Sequence, residues 1–223
     1  AMAASGISFF TEAFEGMFID VVRIPVPIKG QEQESFNALT EAIKKNNCAG
    51  FIFEPLVQGA AGMVMYEPEA LDQLIQICNE NNVLTIADEV MTGFGKTGRP
   101  FACDYLAEKP DMMCLSKALT GGTIPMAITT FTQDIFDAFY DEDINKALFH
   151  GHTFTANPTG CAAALASLEL LQTPKMQDNL VRVNKSHLKF QKHIESHPKV
   201  TTTRVLGVIF ALEIQTQSAA SYY

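Results

Sequence analysis

Between residues 49 and 87 the apolar side chains follow an order that few folds accept. Ala49-Gly50-Phe51-Ile52-Phe53-Glu54-Pro55 and Val83 to Ala87 are short, nearly unbroken apolar runs, the pattern of strands buried on both faces. Between them Pro68 opens a stretch in which Leu71, Leu74, Ile75 and Cys78 recur at helical spacing. Strand, helix, strand in that order predicts a right-handed crossover and two neighbouring parallel strands. Met112 to Leu115 and Met126 to Thr130 supply further strands, and Arg204 to Ile214 reads as strand again. Residues 20 to 27 read as a short strand halted by Pro25 and Pro27. Helices are expected from Ser35 to Asn46, with Phe36, Leu39 and Ile43 on one face, from Pro158 to Leu171, and from Met176 to about His197. The predicted fold is α/β, a mostly parallel central sheet flanked by helices. At 223 residues and 47% hydrophobic content the chain can bury such a core.

Two polar residues stand at the ends of these apolar runs. Asp88 closes Thr85-Ile86-Ala87-Asp88-Glu89-Val90, and Lys117 closes Cys114-Leu115-Ser116-Lys117. In open α/β sheets the carboxyl ends of the strands are where ligands bind. A lysine amine there can hold a cofactor aldehyde as a Schiff base, and a carboxylate facing a pyridine nitrogen keeps that nitrogen protonated, so the ring can accept carbanion charge. That pairing is what pyridoxal phosphate chemistry requires. Taken alone, an acid pair after a strand is equally a helix cap or a solvated loop, and a lone lysine is equally a surface residue.

The flanking segments narrow the choice. Ile86-Ala87-Asp88-Glu89-Val90-Met91-Thr92-Gly93-Phe94-Gly95-Lys96-Thr97-Gly98, Phe101-Ala102-Cys103-Asp104, Pro110-Asp111, Ser116-Lys117-Ala118-Leu119-Thr120-Gly121-Gly122 and His150-Gly151-His152-Thr153-Phe154-Thr155-Ala156-Asn157-Pro158 follow one another in one order. Together they resemble the class III, fold type I aminotransferases, closely over roughly residues 49 to 173. The resemblance implies pyridoxal 5'-phosphate as cofactor, a small-molecule amino donor and a keto acceptor as substrates, and a homodimer with the active site at the subunit interface. It implies that Lys117 anchors the cofactor and moves protons, and that Asp88 faces the ring nitrogen.

Val90, two residues past Asp88, would share its face and pack on the ring, or else belong to the core. Gln58 matches a position near the cofactor's phenolic oxygen, and Glu54 one near the substrate side of the pocket. An ordinary loop glutamine and a strand-end cap explain these two as well. Thr153 matches the threonine that family dimers lend to the partner's cofactor phosphate, its plainer reading being a turn. Met63, Met65 and Tyr66 form a soft apolar stretch that could touch substrate or fill the core. Another class III enzyme, acting on an ω-amino acid or a diamine, would share all of these residues, and a non-catalytic relative could keep the fold.

Other chemistries fit poorly. Gly93-Phe94-Gly95-Lys96-Thr97-Gly98 matches Gly-x-Gly-x-x-Gly, but the glycines begin several residues past the strand, and Arg99-Pro100 is a poor continuation into a helix. Gly95-Lys96-Thr97 mimics the end of a phosphate-binding loop, yet Val90 stands where that motif needs glycine. These glycines are expected to shape a flexible loop near the site. His150 and His152 lack further ligands nearby, so no metal is predicted. The five cysteines are scattered without a Cys-x-x-Cys pair, which points to reduced thiols and a cytoplasmic protein. A net charge of −9 disfavours nucleic acid, and no run approaches a membrane span.

Residues 1–200 are expected to form the cofactor-binding large domain, incomplete at its N-terminus, and 201–223 to begin a truncated C-terminal small domain. Ala1-Met2-Ala3-Ala4 does not open like a complete enzyme. Compared with the family, the glycine-serine phosphate cup and the ring-stacking aromatic would precede Ala1, and the carboxylate-recognising arginine would follow Tyr223.

Overall fold

A computed structural model describes residue 4 and residues 12–215. Eight strands run in chain order: β1 (Gly50–Phe53), β2 (Val57–Gln58), β3 (Val64–Met65), β4 (Leu84–Asp88), β5 (Met112–Leu115), β6 (Ile128–Phe131), β7 (Val200–Leu206) and β8 (Ile209–Ile214). The helices are α1 (Glu32–Lys45), α2 (Pro68–Glu80), α3 (Gln133–Phe139), α4 (Pro158–Leu171) and α5 (Pro174–Ile194).

The central sheet has the order β1-β4-β5-β6. β1, β4 and β5 are parallel, with Phe53 opposite Ala87 and Asp88 opposite Cys114. β6 runs antiparallel to β5, pairing Leu115 with Ile128. The crossover between β1 and β4 carries α2, whose Leu71, Leu74, Ile75 and Cys78 are fully buried in the main core beside Phe53, Val57 and Ala87. The same core takes Phe36 and Leu39 from α1. Burial of the Cys78 thiol pushes its pKa up to about 12. A second, smaller cluster joins Phe94, Leu115, Leu119 and Ala164, so α4 packs against the turn that follows β5.

Helix starts obey local chemistry. Pro68 and Pro158 occupy the first turns of α2 and α4. Asn157 Oδ1 accepts the Gly160 N–H at 2.7 Å, and Thr173 Oγ1 accepts the Met176 N–H at 3.3 Å. α1 begins at Glu32, three residues earlier than its apolar spacing predicts, because Glu32 and Glu34 suit the positive end of the helix dipole.

Two expectations are corrected. Residues 20 to 27 form no strand: Pro25 and Pro27 lack the N–H groups a ladder needs. The segment from Arg204 to Ile214 is not one strand but the greater part of a hairpin, β7 and β8, turning at Gly207. Gly207 is required there, since a Cβ would lie 2.2 Å from the Thr97 carbonyl carbon and φ is +57°. Of the predicted small-domain segment, 216–223 lies outside the described residues, as do 1–3 and 5–11 of the large domain.

Candidate active site

β4 brings Asp88 to its carboxyl end, and β5 delivers Lys117 just past its own. Register puts both at the same end of the sheet: Asp88 faces Cys114, three residues before Lys117. Alternation along β4 separates the two acids. Thr85, Ala87 and Glu89 are buried on one side, whereas Ile86, Asp88 and Val90 are half-buried on the other.

The Asp88 carboxylate makes one hydrogen bond among the described residues, Oδ1 accepting the Val90 N–H at 3.0 Å. Its remaining acceptor capacity is free for a ring N–H. Lys117 is exposed, and its ammonium forms no hydrogen bond or ion pair among the described residues. Its φ of +47° is left-handed, a strained backbone for a side-chain-bearing residue. The surrounding turn imposes that conformation: Ser116 Oγ donates to Met126 O at 2.7 Å, Leu119 N–H to Ser116 O at 3.0 Å, and Ser167 Oγ, from α4, to Ala118 O at 3.0 Å.

A third ionisable group faces this pair. Glu54, at the end of β1, has its pKa raised, chiefly by burial; the Gly59 N–H at 2.9 Å and the Lys117 charge oppose the rise, and the Asp88 charge adds to it. Asp88 likewise adds to the burial that raises the Cys114 thiol. The Tyr66 hydroxyl donates to the Glu54 carbonyl, and burial raises its pKa. The arrangement therefore holds one amine, one carboxylate open to a cationic partner, and one carboxyl whose pKa burial raises. That donor set fits a pyridine aldehyde with a protonated ring nitrogen.

Gln58 pairs with Val64 in the β2–β3 hairpin. Its neighbour Gly59 lies against the Glu54 carboxylate and 3.4 Å, at its Cβ position, from Met91, so this hairpin borders the Asp88 turn. Met63 and Met65 are partly buried against the main core and Tyr66 lies within it. Thr153 sits apart, in an exposed loop where His152 Nδ1 accepts the Phe154 N–H at 3.1 Å. The glycines of 93–98 do not lead into a helix; Thr92 to Gly95 and Thr97 are buried, so this loop is a packed element beside the site. An apolar cavity of about 610 Å³ lies beyond Lys117, lined by Phe94, Ala118, Leu170, Leu171 and Met176 among others. Lys175 is its only ionisable lining residue among the described residues.

Two polar anchors went unread in the sequence. Asp111 Oδ2 accepts both the N–H and the hydroxyl of Thr85 at 2.7 Å, tying β4 to the entry of β5. Glu89 is buried, and its carboxylate is fully engaged by the chain. A Thr within a buried strand was the available signal for the first, and the period of two along β4 for the second.

The chain belongs to the aminotransferase class-III family, which matches residues 1–222. Among curated relatives, the adenosylmethionine-8-amino-7-oxononanoate aminotransferase of Synechococcus elongatus is 41% identical over 96% of this chain and 52% of its own length. The solved structure of the enzyme of that name from Methanocaldococcus jannaschii is 34% identical, with a TM-score of 0.82 over 92% of this chain and 48% of that one. The ornithine aminotransferase of Toxoplasma gondii gives a TM-score of 0.81 at 28% identity, covering 96% of this chain and 48% of that one. The chain thus spans about half the length of the curated relatives it matches.

Proposed function

We propose that the polypeptide containing this chain is a pyridoxal-phosphate-dependent aminotransferase that passes the amino group of S-adenosylmethionine to 7-keto-8-aminopelargonate, yielding 7,8-diaminopelargonate for biotin. The carrying observation is the placement of Asp88 and Lys117 on the carboxyl ends of adjacent parallel strands. When bound, pyridoxal phosphate supplies an aldehyde for amine exchange and a ring that accepts carbanion charge.

The chain's own residues do the rest. Lys117 would hold the aldehyde, and its amine, when free, would serve as general base and then acid. Asp88 would face the ring nitrogen with its negative charge, and Val90 would pack on the ring. Gln58 would donate to the phenolic oxygen, and Glu54 would line the substrate side. Thr153, in its exposed loop, offers its hydroxyl and N–H to the phosphate of a second copy's cofactor. That copy is a homodimer partner: Leu148, Phe149 and Phe154, all at least 60% exposed, form an apolar surface around Thr153 that such a partner covers. Residues 1–200 belong to the large cofactor-binding unit, and the β7–β8 hairpin begins the smaller one. A cytoplasmic setting accords with five unpaired cysteines and with no described helix long and apolar enough to cross a membrane.

Borohydride treatment of the cofactor-loaded intact polypeptide, followed by peptide mass mapping, is expected to mark Lys117. Lys117→Ala should lose the mark and lower turnover by about 10⁴-fold. An unmarked wild-type protein would overturn the reading. The likeness to an ornithine aminotransferase makes a donor panel the second arm. Turnover with ornithine and not with S-adenosylmethionine would move the substrate assignment while leaving the chemistry in place. This chain alone should hold the cofactor far more weakly than the intact polypeptide does, and equal affinity would contradict that.

A further inference from the structure

Glu89 is a charged side chain that the proposed chemistry does not use, and it is wholly buried. No ion pair compensates it among the described residues. Burying a carboxylate without a cation is costly unless hydrogen bonds replace its water. Here they do: Oε1 accepts the Cys103 N–H at 2.7 Å, while Oε2 accepts the Ala102 N–H at 3.1 Å and the Thr92 hydroxyl at 2.6 Å. The main chain of the same residue is also spoken for, its N–H donating to Cys114 O at 3.0 Å and its carbonyl accepting the Gly93 N–H at 2.9 Å.

These five bonds converge on one function. The bond to Cys114 extends the β4–β5 pairing one residue past Asp88, holding the strand end that carries Asp88 against the strand that leads to Lys117. The carboxylate draws the far end of the 92–103 loop back under that strand end, opposite in face to Asp88 and Val90. Both oxygens meet only donors. Glutamine in either orientation would turn an NH₂ group on at least one backbone N–H, and aspartate is one methylene short.

We propose that Glu89 is the positioning residue of this site: through its buried carboxylate it fixes the turn from which Asp88 and Val90 reach the cofactor ring. This rests on the cofactor reading given above. Glu89 acts through Asp88 and touches no substrate.

The experiment uses the intact polypeptide, wild type, Glu89→Gln and Thr92→Val, with pyridoxal phosphate as probe. Three quantities are read: apo-protein melting temperature, cofactor affinity by fluorescence titration, and the pH midpoint of the bound cofactor's absorbance band. Glu89→Gln is expected to weaken cofactor binding at least tenfold and to move the absorbance midpoint, because the Asp88 carboxylate no longer meets the ring nitrogen squarely. Thr92→Val, which removes one of the three carboxylate bonds and keeps the volume, should move both in the same direction by less, and it carries the test if Glu89→Gln fails to fold. A lower melting temperature with unchanged affinity and midpoint, in whichever variant folds, reduces Glu89 to a structural residue and overturns the proposal. Borohydride marking of Lys117 in the wild type separates this failure from that of the cofactor reading, which alone predicts the mark.

Discussion

The segment from β1 to the Lys117 turn and the segment from β6 to the Thr153 loop are consecutive in sequence and opposite in character. In the first, most buried polar groups are matched, Thr85 with Asp111 and Glu89 with the 92–103 loop, the Thr97 hydroxyl being an exception. In the second, every residue of β6 is exposed and α3 buries none of its residues, although Phe131, Phe136, Phe139 and Tyr140 stand there. A chain spends apolar residues on a surface where something covers them. The inner segment is thus a packed scaffold that carries Asp88 and Lys117, and the outer one bears the exposed apolar surface on which the proposed second copy would sit.

Substitution should separate the two most sharply at Leu74, which is 1% exposed. Leu74→Ala leaves a cavity under β4 and is expected to cost about 2–5 kcal/mol in urea unfolding of the intact polypeptide. A cost near zero would mean that the inner segment is not a packed core. Gly207→Ala comes next. Its Cβ would meet Thr97 and Gly98 main-chain atoms that cannot rotate away, so the β7–β8 hairpin should loosen at a cost of about 1–3 kcal/mol, read as faster hydrogen exchange at the Val208 amide that now donates to Lys96 O at 2.8 Å. On the outer segment, Phe149→Ser with Phe154→Ser should change monomer stability by less than about 0.5 kcal/mol. Yet it should weaken self-association at least tenfold in analytical ultracentrifugation, at about 1–2 kcal/mol per buried aromatic anchor. Unaltered association would leave the exposed aromatics unexplained by a second copy.

What could be read from residues alone was local or periodic. Pro68 and Asn157-Pro158 announced helix starts because proline and an Asx cap act within one turn. The β1-α2-β4 unit was legible because its apolar residues are continuous in sequence, and with it the placing of Asp88 and Lys117 at strand ends, although the two strands are not buried on both faces as expected: Ile52 and Leu84 are exposed. The antiparallel direction of β6 was not legible, since four exposed residues carry no one-sided pattern. The break at Gly207 was missed because its cause is a contact with Thr97, far away along the chain. Asp88 was singled out in the sequence while Glu89 was given no role of its own, and it is the alternation of β4 that turns Glu89 to the opposite, buried face.

Glu54 offers the finest probe of the inner segment, because its half-buried carboxyl has surroundings that disfavour its charge. With its pKa raised above the ordinary 4.5 in the folded state, the favourable state is the protonated one, so its contribution is whole below the unfolded value and fades as pH rises through the folded value. The Glu54→Gln variant cannot ionise there but keeps an oxygen for the Gly59 N–H. Relative to wild type, its melting temperature should therefore be nearly equal below pH 4.5 and become higher as pH climbs above it, a small effect beside those named earlier. Removing the Lys117 charge deprives the Glu54 carboxylate of its one attractive ion, so in a Lys117→Ala background the advantage conferred by Glu54→Gln should grow. An advantage that shrank instead would mean that Glu54 and Lys117 do not share the same local field.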